Sequence, residues 1–416
     1  MSSPHPAPAG TAAPDAERLL GDLRTLSRFG ATGQGIRREA LTPADVEARQ
    51  WLASRMRQAG LEVAIDRIGN VLGRDRTARR TVLLGSHLDS VPGGGWLDGA
   101  YGVLAGLEVV RCLRSGGGAC AVGIDLIAFS DEEGRFGDLT GSRFFCRELQ
   151  EADLATLRDA EGVSLEQASA DAGWSGQPLA SLDPDRALAY LEAHIEQGPV
   201  LEHEQLQIGV VQAIAGIRRL RIAFCGRADH AGTTPMALRR DAGRAATAFC
   251  HRLHGAFAER WQDRGAVWNI GQLRLEPGAF GVVPQRAECS LELRAPQAGL
   301  LAAMADEADA LAQATARATG TDCALRAVSE VAPAAMADPL TTRLLRTCAE
   351  LGLRCRTMVS GAGHDAMVLA RHLPAGMLFI PSRQGRSHSP LEDSDPEDIV
   401  RGAAVLMHAV QGLQQA

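Results

Sequence analysis

The chain has 416 residues, a length at which a single hydrophobic core has usually divided, so two domains are expected. Its content of 45% hydrophobic and 22% charged residues is ordinary for a globular protein. The formal net charge of -7 is unfavourable for nucleic acid or an anionic membrane as the main partner, because both attract clustered cations. No stretch approaches the ~18 consecutive apolar residues of a membrane span.

The residue types indicate a bacterial protein from a reducing compartment. The chain contains no lysine and much alanine and glycine, a bias typical of GC-rich bacterial genomes. None of the nine cysteines forms a CxxC pair and most lie in apolar runs, so they are predicted to be small buried side chains and not metal ligands. Residues 1–14 lack the basic and apolar regions of a signal peptide, and they are predicted to form the flexible tail of a cytoplasmic protein.

Apolar strands alternate with helices in the first half of the chain. The predicted elements are a helix from Asp15 to Leu26, a helix from Pro43 to Gly60, strands at Val63–Val71 and Thr81–Leu84, a helix at Tyr101–Leu113 and a strand at Gly123–Phe129. This alternation is typical of an α/β domain with a mainly parallel sheet that is covered on both faces. Ligands bind such sheets at the carboxyl ends of the strands.

The pattern changes between Gly209 and Gly216. The predicted elements that follow are a strand at Arg219–Phe224, a helix at Asp241–Arg260, strands at Val267–Leu275 and Ala287–Leu293, a helix at Leu300–Thr319 and a last strand at Asp322–Val328. This order is typical of a ferredoxin-like α+β insertion. A helix at Pro339–Leu351 and strands near Met358 and at Met377–Ile380 return to the first pattern. Residues 15–212 and 328–416 are therefore assigned to one metal-binding domain and residues 213–327 to an inserted one.

Histidines and acids recur after the predicted strands. The residues concerned are His87, Asp89, Asp98, Glu132, Glu133, His194 and His388. A single histidine at a strand end is usually structural and a lone Asp-Gly is usually a turn, but their recurrence at two successive strand ends predicts a metal centre. Imidazole and carboxylate ligands suit zinc and its first-row neighbours. Asp98 is the candidate bridge between two metals. One of the two glutamates Glu132 and Glu133 is expected to bind a metal while the other acts as general base. The Asp89 carboxylate is spaced to hydrogen-bond the His87 ring.

Seven segments of the chain carry a resemblance to a known family. They are Gly85–Pro92, Leu97–Gly99, Ser130–Gly134, Leu191–Pro199, Gly226–Met236, Ser360–Ala366 and Ser387–Pro390. In these segments the sequence resembles the hydantoinase/carbamoylase branch of the M20 metallopeptidase-like family, which includes N-carbamoyl-L-amino acid hydrolases, allantoate amidohydrolases and β-ureidopropionases. The resemblance extends over the whole chain after the tail. It implies an aminopeptidase-like catalytic domain with an inserted ferredoxin-like lid and dimerisation domain, and hence a homodimer.

The resemblance also implies a set of metal ligands. His87, Asp98 and His194 would hold one divalent metal ion, and Asp98, Glu133 and His388 would hold the other. Zinc is the preferred metal, and Mn, Co and Ni are alternatives with the same ligand types. Glu132 would be the general base that acts on metal-activated water.

A second set of residues is implied to bind the substrate, a small amide or ureide with a carboxylate. The set is Gln197, His230, Arg294, Gly361 and Gly363. His230 would also be catalytic, by stabilising the oxyanion, and Arg294 would clamp the carboxylate, with backbone N–H donors from the two glycines. The alternative to a functional role is a structural one for His230 and an exposed strand position for Arg294. The lid residues would reach the site from either the same or the partner subunit.

Gly281 departs from the family pattern, because the family usually has an asparagine there that contacts the substrate. The expected reaction is hydrolysis of the C–N bond of an N-carbamoyl (ureido) amino acid or related ureide. The alternatives are an N-acyl-amino acid amidase or dipeptidase, a specialised amide substrate suited to Gly281, and a metal-binding protein without catalysis. Release of ammonia from a ureide distinguishes the first reaction from the others.

Overall fold

The computed structural model describes residues 13–115 and 122–414, and the chain divides into two compact units. The first unit comprises the described residues up to Gln212, Met336–Met358 and those from Ala362 onward. The second unit comprises Ala213–Ala335 and Val359–Gly361. Residues 1–12 of the predicted tail lie outside the described residues, and so does Cys120.

Helices and strands cover most of the described residues. The helices are α1 (Ala16–Leu26), α2 (Pro43–Gln58), α3 (Ala100–Ser115), α4 (Thr140–Phe145), α5 (Leu165–Asp171), α6 (Val200–His203), α7 (Ala242–Arg260), α8 (Ala298–Thr319), α9 (Asp338–Glu350), α10 (Asp365–Leu369) and α11 (Pro396–Gln414). The strands are β1 (Ala31–Thr32), β2 (Gly35–Ile36), β3 (Glu62–Ile65), β4 (Val71–Arg74), β5 (Arg80–His87), β6 (Val122–Phe129), β7 (Ala187–Ile195), β8 (Ile208–Ile214), β9 (Gly216–Cys225), β10 (Val267–Glu276), β11 (Arg286–Ala295), β12 (Asp322–Val331), β13 (Ala334–Ala335), β14 (Cys355–Ser360) and β15 (Ala375–Ile380). Among the residues described, no helix is both long and apolar enough to cross a bilayer.

The sheet of the first unit has a parallel centre. Its strands follow the order β8-β15-β7-β5-β6-β4-β3, in which β15, β7, β5 and β6 are mutually parallel. The flanking strands pair antiparallel. The central strands are apolar runs that are buried almost throughout, because helices such as α3 pack against them. The predicted α/β fold with a mainly parallel central sheet is thus confirmed, with antiparallel strands at its edges.

The single strand predicted at Val63–Val71 is wrong, because the chain reverses within it. β3 and β4 form an antiparallel hairpin instead. The carboxylate of Asp66 accepts hydrogen bonds from the backbone N–H groups of Ile68 at 3.0 Å and Asn70 at 2.8 Å. An aspartate that bonds the backbone two and four residues later favours a turn over an extended strand.

The second unit contains an antiparallel sheet in the order β10-β11-β9-β12, with α7 and α8 packed on it. The elements predicted between residues 217 and 328 are all present. β11 alternates strictly between buried and half-exposed residues, so one face of the sheet is covered and the other is left open.

Candidate metal centre

Three segments that carry predicted ligands meet at the carboxyl ends of neighbouring parallel strands. His87 is the last residue of β5, and His194 lies next to the end of β7, which pairs with β5. Glu132 and Glu133 follow β6, which lies on the other side of β5. Because these strands run in the same direction, their ends place the side chains at one edge of the sheet.

The other two predicted ligands reach this edge from loops. Asp98 lies just before α3, and His388 lies in the segment between β15 and α11. His388 has a φ of 52°, in the left-handed region that few residues other than glycine adopt. Such a conformation persists only where the surrounding structure holds it, so the His388 loop is a constrained one.

His87, Asp98 and His194 form a buried group that fits a metal ion. Oδ1 of Asp98 lies 3.1 Å from Nε2 of His194 and 3.6 Å from Nε2 of His87. Nδ1 of His87 lies 3.0 Å from the carbonyl oxygen of Asp89. Nδ1 of His194 lies 2.9 Å from the carbonyl oxygen of Ile195. A proton on each Nδ1 satisfies that carbonyl and leaves each Nε2 as an acceptor, which is the form that binds a metal. In His194 this Nε2 accepts a hydrogen bond from the Gly99 N–H at 3.2 Å.

The Asp89 carboxylate does not bond the His87 ring, so the prediction that it would is wrong. It accepts a hydrogen bond from the Glu133 N–H at 3.1 Å and lies 3.6 Å from Nη2 of Arg49. Arg49 is fully buried, and a buried guanidinium needs carboxylates nearby to offset the loss of water. The side chain of Asp89 therefore faces the arginine, and its backbone carbonyl faces the imidazole.

Asp98, Glu133 and His388 form a second group that fits a metal ion, and this group is less buried than the first. Nε2 of His388 lies 3.3 Å from Oδ2 of Asp98 and 3.5 Å from Oε1 of Glu133. That glutamate oxygen is buried and has no hydrogen-bond partner among the described residues. Asp98 turns one carboxylate oxygen towards each group, as expected of a carboxylate shared by two ions.

The crowding of carboxyl groups shifts the pKa values within the cluster. Burial, to which neighbouring Glu133 adds, raises the pKa of Glu132 well above its usual range. Burial also raises the pKa of Glu133 to about 7. The hydrogen bond to Asp98 raises the pKa of His388 to about 9. Burial alone would lower the pKa of His87, but Glu132 and Asp98 outweigh it and raise that pKa well above its usual value. A bound cation would relieve this crowding of carboxylates.

Gln197 lies against the predicted bridging aspartate. Its Nε2 donates to Oδ2 of Asp98 at 2.9 Å and to Oγ of Ser387 at 3.2 Å. Its Oε1 is buried and lacks a hydrogen-bond partner within the part of the chain that the structure describes. The predicted contact of Gln197 with the substrate stays a prediction, for which this position beside the cluster is suitable.

Two buried charged residues that support the cluster are not evident from the sequence. Arg49 lies in α2, and Glu392 lies in the loop after His388. A lone arginine in a helix and a lone glutamate in a loop are usually solvated, and only tertiary packing buries them. The one available signal is the position of Glu392, four residues after a predicted metal ligand.

In the second unit, His230 lies in the loop between β9 and α7 and is exposed. It pairs with Val282 in an isolated antiparallel bridge. The backbone N–H of Gly232 donates to Nδ1 of His230 at 3.1 Å. In the neutral ring this bond selects the tautomer with its proton on Nε2, so the second nitrogen is a hydrogen-bond donor.

The guanidinium of Arg294 already has partners within the second unit. Nε lies 2.8 Å and Nη2 lies 2.7 Å from Oε1 of Glu292. Nη1 donates to the backbone carbonyl of Gly361, so this glycine meets the arginine through an acceptor. Gly363 belongs to the first unit. The substrate-binding roles of Arg294, Gly361 and Gly363 stay predictions.

Gly281 lies beside His230 in an open position. Its carbonyl oxygen accepts a hydrogen bond from the Ala231 N–H at 2.9 Å. A Cβ added to Gly281 would meet no atom of the described residues within 4 Å. The preceding Phe280 is fully exposed. A larger side chain is therefore sterically acceptable at position 281.

The profile of peptidase family M20/M25/M40 matches residues 83–412. The match contains every predicted metal ligand, from His87 to His388. The chain belongs to this family.

Members of the family resemble the chain over nearly its full length. The N-carbamoyl-L-amino-acid amidohydrolase of Paenarthrobacter aurescens is 36% identical over 96% of this chain and 98% of its own. The allantoate amidohydrolase of Escherichia coli is 36% identical over 92% of this chain and 94% of its own. The crystal structure of an amidase of the hydantoinase/carbamoylase family from Burkholderia phymatum superposes with a TM-score of 0.90, at 42% identity over 96% and 98% of the two chains. The resemblance to the hydantoinase/carbamoylase branch is thus confirmed.

Proposed function

We propose that the protein uses two divalent metal ions to hydrolyse the C–N bond of an N-carbamoyl (ureido) amino acid or a related ureide. The observation that carries the proposal is the sharing of Asp98 between two ligand groups, with Glu132 beside the first of them. The relatives are named as amidohydrolases of N-carbamoyl-L-amino acids and of allantoate. The chain is accordingly a hydrolase that acts on a non-peptide C–N bond.

The donor atoms of the two groups fit metal ions of the zinc type. Each group offers imidazole nitrogen and carboxylate oxygen, which suit Zn, Mn, Co and Ni. The Oε1 of Glu133, which accepts no hydrogen bond from the described residues, is the kind of buried atom that a cation would satisfy. His87, Asp98 and His194 would hold one ion, and the second group would hold the other. When bound, the ions would polarise the scissile carbonyl and favour ionisation of water.

Glu132 is the proposed general base. Its Oε2 lies 3.8 Å from Nε2 of His87, and its side chain is 9% exposed. Burial raises the pKa of Glu132 in the metal-free cluster, and a bound cation would lower it again. The ionised carboxylate would then take a proton from water and deliver it to the leaving nitrogen. Glu133 faces His388 instead, so the two consecutive glutamates serve different partners.

The second unit is the proposed lid and dimerisation domain of a homodimer. The proposed substrate contacts are Gln197, His230, Arg294, Gly361 and Gly363. The Nε2–H of His230 would donate to the oxyanion as negative charge develops on the carbonyl oxygen. The fork of Arg294 would hold the substrate carboxylate, which is chemically equivalent to the Glu292 carboxylate that it now contacts.

An N-acyl-amino acid amidase or dipeptidase is the second candidate function. The same metal groups and base serve any amide carbonyl, and Gly281 removes a polar side chain from beside His230. The products distinguish the two candidates, because a ureide releases ammonia and an acyl amino acid releases a free acid. A metal-binding protein without catalysis is the third candidate, and it predicts no product from either class.

The test is a release assay with the metal-loaded protein. The panel contains N-carbamoyl amino acids, allantoate, ureidopropionate and N-acyl amino acids, and the variants are Glu132→Gln and, as a matched control, Glu161→Gln at an exposed position. We expect ammonia from a ureide, about 10²–10⁴-fold slower turnover for Glu132→Gln, and unchanged metal content. Full activity of Glu132→Gln with metals bound would refute the base assignment, and no product across the panel would refute the enzyme assignment.

A further inference from the structure

Glu392 is a buried carboxylate in the loop that carries His388. Its side chain is almost inaccessible to water, and the proposed reaction assigns it no role. Oε1 accepts hydrogen bonds from the backbone N–H groups of Leu97 at 2.9 Å and Asp98 at 3.0 Å. Oε2 lies 3.0 Å from the hydroxyl of Ser387. One side chain therefore joins the Asp98 segment to a loop that is 294 residues away in sequence.

The same residue closes the turn that follows His388. The backbone N–H of Glu392 donates to the carbonyl oxygen of Ser389 at 3.0 Å. His388 lies between Ser387 and Ser389, and both of these neighbours thus bond to Glu392. Because the backbone of His388 is in the left-handed region, it needs such restraint on both sides to keep its position.

Gly95 provides the room that this carboxylate needs. A Cβ built on Gly95 would overlap the carboxyl carbon and Oε1 of Glu392. An alanine there would therefore push the carboxylate away from the Leu97 and Asp98 N–H groups without changing Glu392 itself. This gives a second and independent way to disturb the same contact.

We propose that Glu392 is a positioning residue that sets the separation between Asp98 and His388. Through the backbone it fixes the base of the Asp98 side chain, and through Ser387 and Ser389 it fixes the loop of His388. Glu392 belongs to neither ligand group, and its oxygens bond to the Leu97 and Asp98 N–H groups and to Ser387 instead. The inference rests on the proposed function, since the separation that it sets is the one between two proposed ligands of the second metal ion.

The test is a Co²⁺ titration of the full metal-free chain, followed by calorimetry and by the visible absorption of bound Co²⁺. We expect Glu392→Ala to bind one equivalent as the wild type does and the second about 10–100-fold more weakly, with an altered spectrum for that equivalent. Glu392→Gln should bind both equivalents within a few-fold of the wild type, because an amide is still able to accept from two N–H groups and to donate to Ser387. Gly95→Ala should resemble Glu392→Ala, and the control Glu397→Ala, at an exposed position, should resemble the wild type.

The outcomes separate this inference from the proposed function. Wild-type binding of both equivalents by Glu392→Ala and Gly95→Ala would overturn the positioning role and leave the two-metal site intact. Equal losses in Glu392→Ala and Glu392→Gln would also overturn it, because they would indicate a role for the charge alone. A wild-type chain that binds fewer than two equivalents would overturn the two-metal site and this inference together. If Glu392→Ala does not fold, Gly95→Ala decides the question.

Discussion

The two units present their proposed functional side chains in opposite ways. In the first unit, His87 and Asp98 are almost fully buried, and each lies within 4 Å of another proposed ligand or of the base. In the second unit, His230 is exposed, and Arg294 is paired with Glu292 of its own strand. A buried cluster of charges needs a compensating ion, whereas an exposed donor is available to bind a ligand.

This contrast implies that changes in the two units have different effects. A substitution in the buried cluster should reduce metal content, activity and stability together. A substitution at the exposed residues should reduce the rate or change the preference among substrates, while metal content and stability stay as they are.

Asp98→Ala should have the largest effect. It removes the carboxylate that both ligand groups share, so both metal ions should be lost and kcat/KM should fall by about 10⁴-fold. Metal analysis and the release assay measure the two effects. Asp185→Ala, at an exposed position of the same unit, is the control and should match the wild type. Retention of two equivalents by Asp98→Ala would contradict the bridging assignment.

Metal removal should destabilise the first unit as well as abolish activity. An ion that binds only the folded state stabilises it by about 4 kcal/mol at a free concentration ~1,000 times its dissociation constant. Chelation should therefore lower the melting temperature, and added Zn²⁺, Mn²⁺, Co²⁺ or Ni²⁺ should restore both stability and turnover. An unchanged melting curve together with full metal loss would show that the buried carboxylates need no cation.

His230→Ala should reduce the rate and leave the metals in place. Loss of one donor to a developing oxyanion costs about 10²–10³-fold in kcat. Metal content and melting temperature should not change, because the His230 side chain is exposed. His251→Ala, on the exposed face of α7, is the matched control. Loss of metal in His230→Ala would mean that the two units are not functionally separable.

The pH dependence of the metal-free protein should report on the pairing of His388 with Asp98. The pKa of His388 is raised to about 9 in the folded chain, so protonation of its ring stabilises the folded state. The contribution of the protonated His388 ring to the free energy of unfolding is fully present below the ordinary histidine pKa of 6.5. It is lost as the pH rises through 9, so the free energy of unfolding should fall between pH 6.5 and 9. An NMR titration should give a midpoint near 9, and Asp98→Asn should lower it. A wild-type midpoint near 6.5 would contradict the pairing.

Local patterns suffice to predict some parts of the molecule and not others. The central strands are predictable because burial makes each of them a continuous apolar run in the sequence. The polar residues directly after these runs lie at the carboxyl ends of the strands, and this is the local signal that identifies His87 and Glu132. The carboxylate of Asp89 turned to Arg49 because a buried guanidinium competes for it, and this competition depends on tertiary packing. The role of Glu392 is hidden from the sequence for the same reason, since the N–H groups of Leu97 and Asp98 that its Oε1 binds lie 295 and 294 residues away.

Gly281→Asn should have the smallest effect on the fold and a selective effect on substrates. The position is exposed and open, so the free energy of unfolding should change by no more than about 0.5 kcal/mol. An amide side chain beside His230 adds a donor and an acceptor, so kcat/KM should rise about 10-fold for ureides with a polar group near the carbonyl, relative to apolar ones. Gly299→Asn, also exposed and open in the second unit, should leave that ratio unchanged. If the ratio of kcat/KM for polar over apolar ureides stays constant in Gly281→Asn, substrate preference is determined outside this loop. That result would weaken the division between a first unit that holds the metals and a second unit that selects the substrate.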